Sequence, residues 1–139
     1  MKIALTGAAA AALLTVAAQA DGLAMDNPVM VSGIETVCTG IADSKDDPRW
    51  AAYPVRIEFS NAKGQSITDV HLVLAKADGT ALATLDCGAN WVLFKLAPGK
   101  YKVTGTAAPD AGGTVSADFA PPAKGQKRVS LRFTSASVE

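Results

Sequence analysis

The feature that most constrains this chain is a two-residue rhythm broken at short intervals by turn residues. Tyr53, Val55, Ile57 and Phe59 alternate with Pro54, Arg56 and Glu58. Such alternation puts one face in a core and the other in water, which is the signature of a half-buried strand. Asn61-Ala62-Lys63-Gly64 ends that run with turn chemistry. Val70, Leu72 and Leu74 repeat the pattern, and Asp78-Gly79 is a hairpin signal from which Thr80–Asp86 pairs back. Asn90–Leu96 is a further apolar run, stopped by Pro98-Gly99. Tyr101, Val103 and Gly105 continue the alternation, Gly112-Gly113 precedes Thr114–Phe119, and Val129, Leu131 and Phe133 close it. No stretch beyond the N-terminus carries a helical stripe. Many short strands at regular spacing predict an all-β, antiparallel sandwich of about seven strands.

The N-terminus is read separately. Lys2 gives a short positive start, residues 3–18 carry no charge, and Ala18-Gln19-Ala20 offers small residues for a signal peptidase. Residues 1–20 are therefore expected to be a secretory signal, cut near Ala20. The run is short and lacks a basic stop-transfer flank, which argues against a membrane anchor. Asp21, and no Cys, stands directly after the cut, so no lipid anchor is expected, and no later run is long enough to span a membrane. Residues 21–33, interrupted by Pro28 and Gly33, read as a flexible leader, 34–134 as one domain and 135–139 as a tail. The absence of any Asn-x-Ser/Thr suits a bacterial periplasm or secreted location.

Export gives Cys38 and Cys87, the two cysteines in the chain, an oxidising compartment, so a disulfide between them is expected. A redox pair would want close spacing, and these lie 49 positions apart. Charge and residue counts then exclude function classes. Thirteen Lys+Arg balance 13 Asp+Glu, which disfavours nucleic acid. One His and two Cys cannot build the zinc sets that need four such ligands.

Leu96-Ala97-Pro98-Gly99-Lys100-Tyr101-Lys102-Val103 resembles the turn signature of carboxypeptidase regulatory-like and other prealbumin-like (transthyretin-like) sandwiches. Leu96 closes one strand inward, Pro98-Gly99 turns the chain, and Tyr101 with Val103 opens the next. The stretch from residue 53 to 133 is similar to small secreted proteobacterial proteins of this type. The resemblance implies a fold rather than an activity. The His and Arg set and the C-terminal Tyr-Arg-Gly-Ser of prealbumin-like hydrolases are absent. So is the late-strand Asn that an internal isopeptide bond requires.

Candidate sites are few. His71 sits between Val70 and Leu72 and is expected to face outward, near Asp69, with no nucleophile elbow to serve. Asp43, Asp46 and Asp47 form an acidic loop. A calcium loop counted from Asp43 would need Gly at position 48 and Glu at position 54, and both are Pro. Whether that loop takes calcium is left open, with a capped turn the simpler reading. Trp50 and Tyr53 are candidates for stacking a glycan or peptide on exposed rings. Trp91 is expected to pack beside the disulfide. Lys95, Lys100 and Lys102, with Lys124, Lys127, Arg128 and Arg132, would make one wet face basic if the last strands pair. The expected function is a non-catalytic module with a protein partner in the cell envelope, for which an exposed edge strand is one route of engagement. The alternative is glycan or peptide binding at Trp50 and Tyr53. No enzyme activity, cofactor or metal is expected.

Overall fold

The computed structural model describes residues 22–107 and 113–134. The expected signal, its cut before Asp21 and the tail lie outside the described residues, as does Gly112. Among the described residues the chain is all-β: nine strands in two sheets, with two short 3-10 turns. The strands are β1 (Val29–Val31), β2 (Ile34–Thr39), β3 (Val55–Asn61), β4 (Val70–Lys76), β5 (Ala81–Cys87), β6 (Trp91–Phe94), β7 (Tyr101–Thr106), β8 (Thr114–Phe119) and β9 (Lys127–Phe133). One sheet has the order β9-β3-β6-β2-β1 and the other β5-β4-β7-β8. All pairings are antiparallel except β9 with β3, which is parallel from Lys127↔Val55 to Phe133↔Asn61.

The alternation delivers the core. Val55, Ile57 and Phe59 of β3, Val70, Leu72 and Leu74 of β4, and Val129, Leu131 and Phe133 of β9 all point inward and are buried. Gly105 of β7 is a packing requirement. A Cβ built there would lie 2.9 Å from Leu131 and 3.1 Å from Phe133, so the missing side chain is the space that β9 fills. The turns behave as their chemistry dictates. The Asn61 side-chain oxygen accepts from the backbone N–H groups of Lys63 and Gln65, each at 2.9 Å. Thr80 N donates to the Asp78 carboxylate at 2.9 Å, closing the β4–β5 hairpin. Pro98-Gly99 links β6 of the first sheet to β7 of the second, a crossing between layers rather than a hairpin. Leu96 packs partly buried against the core, and Tyr101 stacks on Phe119 with centroids 5.8 Å apart. The Tyr101 hydroxyl donates to Ala97 O at 2.7 Å, tying the turn to its own strand.

Cys38 and Cys87 are bonded, with Cα atoms 5.6 Å apart. The bond joins β2 of one sheet to β5 of the other, through the core.

Two expectations need correction here. Of the expected leader 21–33, the described residues 22–33 are not loose. Val29–Val31 forms β1 against Ile34–Thr36, Asp26 N donates to Cys38 O at 2.8 Å, and Leu23 N donates to Asp86 O at 3.1 Å. Ser32 and Gly33, with φ of 50° and 82°, make the tight turn between β1 and β2. The segment covers an edge instead of filling a core, which leaves Met25 and Met30 exposed. The strand count rises from about seven to nine because β1 and β2, between Val29 and Thr39, both join the sheet beside β6. The basic residues also do not share one face. β9 pairs with β3 and not with β8, so Lys100 and Lys102 belong to one sheet and Arg128 and Arg132 to the other.

Candidate functional site

Trp50 and Tyr53 do not present exposed rings: each is 3% exposed. They pack with Val37 and Leu93 on the outer side of the five-stranded sheet, where β2 and β6 pair Val37 with Leu93. That patch is too apolar to stay wet. The turns Ala42–Asp46 and Pro48–Ala52 fold over it and lower both rings onto it. The indole N–H donates to Ser44 O at 2.7 Å, and the two rings meet edge to face at 6.0 Å. Gln126 then clamps the cover: its side-chain nitrogen donates to Trp50 O and Tyr53 O, both at 2.9 Å. A glycan platform at these residues is therefore ruled out. The warning lay in Val92-Leu93-Phe94, an unbroken apolar run that marks a strand buried on both faces.

The acidic loop has structural work of its own. Asp47 caps Pro48–Ala52 by accepting from Arg49 N at 2.9 Å, and pairs with the Arg49 guanidinium at 2.7 Å. The hydrogen bond from the Arg49 side chain, helped by its backbone N–H, holds the Asp47 carboxyl below the usual range. Among the described residues no group of three His, Cys, Asp or Glu side chains could hold a metal ion.

Under the same cover the Tyr53 hydroxyl donates to Glu35, with Lys95 Nζ 3.5 Å from the same carboxylate. That hydrogen bond, more than the lysine, lowers Glu35 below its ordinary value. Burial first and the bond to Glu35 second push Tyr53 up to about 12. The signs follow from linkage. Glu35 contributes stability above its unfolded value of 4.5 and loses it as pH falls through its depressed folded value. Tyr53 contributes below 10 and loses it as pH rises toward about 12. Tyr53→Phe is expected to raise the Glu35 titration midpoint, followed by carbon NMR of its carboxyl. An unchanged midpoint would assign the shift to Lys95 instead.

His71 faces outward as expected, but its partner is Asp86 across the β4–β5 ladder, with Nδ1 2.6 Å from the carboxylate, rather than Asp69. The pair lines an open cleft of about 540 Å³ with Met25 and Asp69. Both side chains are about half exposed, and among the described residues no hydroxyl is hydrogen-bonded to the ring. Trp91 is also displaced from its expected place. Val92 pairs with Cys38 and takes the inner face, so Trp91 turns outward, beneath Arg56 at 3.9 Å. Only its backbone lies near the disulfide, with Cys87 Sγ 3.5 Å from Trp91 O.

The feature that sequence reasoning left without an address is the outer edge of β9. Lys127 N donates to Pro54 O at 2.8 Å. In a parallel ladder, alternate residues direct both backbone groups to the same side. Lys127, Val129, Leu131 and Phe133 therefore bond to β3, and Arg128, Ser130 and Arg132 aim N–H and C=O away from it. No described strand pairs on that side. The edge runs seven residues in unbroken register. The other edges are shorter or interrupted. β1 has three residues, β8 has six, and β5 has a register shift opposite Leu74/Ala75 at one end and Leu23 bonded at Asp86 at the other. Arg128, Ser130 and Arg132 are exposed on the outer face. Arg128 is 3.8 Å from Glu58, which binds Arg56 more closely at 2.8 Å, and Arg132 donates to Ala62 O at 3.2 Å.

Among the described residues no helix is long and apolar enough to cross a membrane. No family model matches the chain, and no curated protein matches it. Among solved structures, the C-terminal domain of the Caf1A usher is similar at a TM-score of 0.37 and 11% identity, over 60% of this chain and 98% of that one. Conserved hydrophobic clusters on the surface of that domain are important for F1 antigen assembly.

Proposed function

We propose that this chain is a non-catalytic, exported β-sandwich module that binds an envelope protein by pairing an extended segment of it with β9. The observation that carries the reading is the seven-residue edge, whose Arg128, Ser130 and Arg132 backbone groups point away from the sheet. Strand addition of this kind draws affinity from main-chain hydrogen bonds and specificity from alternate side chains. Export rests on the signal read over residues 1–20, and the buried disulfide suits an oxidising compartment. Kinship with carboxypeptidase regulatory-like sandwiches rests on the Leu96–Val103 turn and on the Tyr101–Phe119 stack that it sets up. A hydrolytic reading has little support, because His71 and Asp86 form a solvated pair and, among the described residues, no hydroxyl is bonded to the ring.

The test is a photo-crosslinking residue in intact cells, placed at Thr134 beside the end of β9 or at Thr84 on β5. One dominant protein captured from Thr134 and not from Thr84 is the expected result. Equal capture from both positions, or capture from neither, contradicts the reading.

A further inference from the structure

Resting on that reading, we infer that the segment β9 accepts is acidic at two positions four residues apart, in the alternation acid, apolar, polar, apolar, acid. Three observations lead there. First, the outward side chains of β9 are Arg128, Ser130 and Arg132, so two cations stand four residues apart on one face. The charges around them are Arg56 and Glu58 on β3, with Lys127 at the start of β9 and Lys124 three residues before it. Glu58 is the acid among them, and Arg56 holds it more closely than Arg128 does. Arg132 meets only a carbonyl oxygen. Opposite charges facing each other across a ladder stabilise the pair and like charges destabilise it. A basic strand is thus repelled and a neutral one gains nothing from the two cations, which is the usual protective use of charge on an edge. An acidic strand is selected by the same residues.

Second, directly opposed residues share a face in parallel and antiparallel ladders alike. The acids therefore fall opposite Arg128 and Arg132 in either direction, and the motif reads the same both ways. The residue opposite Ser130 is polar, and the two between point inward. On that inner side β8 approaches β9, and Val115 and Ala117 of β8 are only partly buried. Apolar residues at the two inward positions would lie beside them and remove that surface from water. Third, the charge pattern disfavours a second copy of the chain. Two β9 strands meeting antiparallel about Ser130 would set Arg128 against Arg132 of the other copy, a like-charge contact on each side of the axis.

The probes are three seven-residue peptides, titrated into the isotopically labelled, disulfide-bonded chain 21–139 and followed by backbone NMR. Their sequences are Gly-Glu-Val-Thr-Val-Glu-Gly, Gly-Lys-Val-Thr-Val-Lys-Gly and Gly-Glu-Val-Thr-Glu-Val-Gly. The first is expected to shift the amides of Arg128, Ser130 and Arg132. The second is expected to bind roughly tenfold more weakly, about the effect of losing two favourable cross-strand pairs. The third, which turns one acid inward, should also bind more weakly. Equal affinity of the first two peptides, or no shift at those three amides with the first, overturns the inference. A partner captured at Thr134 alongside a failed first peptide would leave the edge reading standing and remove the acidic alternation. Failure of both experiments would remove both.

Discussion

Replacing Cys38 and Cys87 together by Ala is expected to lower the unfolding free energy by about 4 kcal/mol, the chain-entropy figure for a loop of this size. The position of the bond explains why the loss should appear in full. Cys38 belongs to the five-stranded sheet and Cys87 to the four-stranded one, so the crosslink spans the two layers. Both residues are essentially inaccessible to water. The residues beside the bond are committed to the same junction: Asp26 bonds to Cys38 O, and Leu23 bonds to Asp86 O next to Cys87. Losing the crosslink therefore loosens the N-terminal segment and the layer junction together. Against a usual domain stability of about 5–15 kcal/mol, the loss is a large share. Urea unfolding of the oxidised chain and the double variant measures it. A difference below about 1 kcal/mol would mean that the sheets are held by packing alone.

Much of this architecture was legible in the residues, for a definite reason. A strand wet on one face writes its geometry as alternation, and β3, β4 and β9 do so with Val55-Ile57-Phe59, Val70-Leu72-Leu74 and Val129-Leu131-Phe133. The turns at Asn61 and Asp78-Gly79 were readable because their side chains bond within a few residues of themselves. What escaped depends on partners far apart in sequence. Trp50 and Tyr53 look like surface aromatics until Leu93, some forty residues on, supplies the apolar patch beneath them. Gln126 holds their loop across more than seventy residues and has no local signature. The leader reads as loose in sequence because β1 is three residues long and covers an edge rather than a core. The basic residues near the C-terminus could be counted. Their placement depended on whether β9 joined β8 or crossed to β3, and local spacing carries no information on that choice.

Ser130 offers the sharpest separation of binding from folding. Its N–H points away from β3, so Ser130→Pro removes no ladder bond, and proline is tolerated on an edge with that orientation. The expected cost in stability is within about 1 kcal/mol, mostly from narrowing φ. Val129 is the internal control. Its N–H bonds to β3 and its side chain is buried, so Val129→Pro should cost about 3 kcal/mol or more and disrupt the edge itself. The decisive measurement is in-cell capture from the photo-crosslinker at Thr134, with Ser130 intact and with Ser130→Pro, alongside thermal unfolding of both proteins. The account predicts that the captured protein disappears with Ser130→Pro while the melting temperature moves by only a few degrees. Capture that persists undiminished in a folded Ser130→Pro chain would contradict strand pairing along β9.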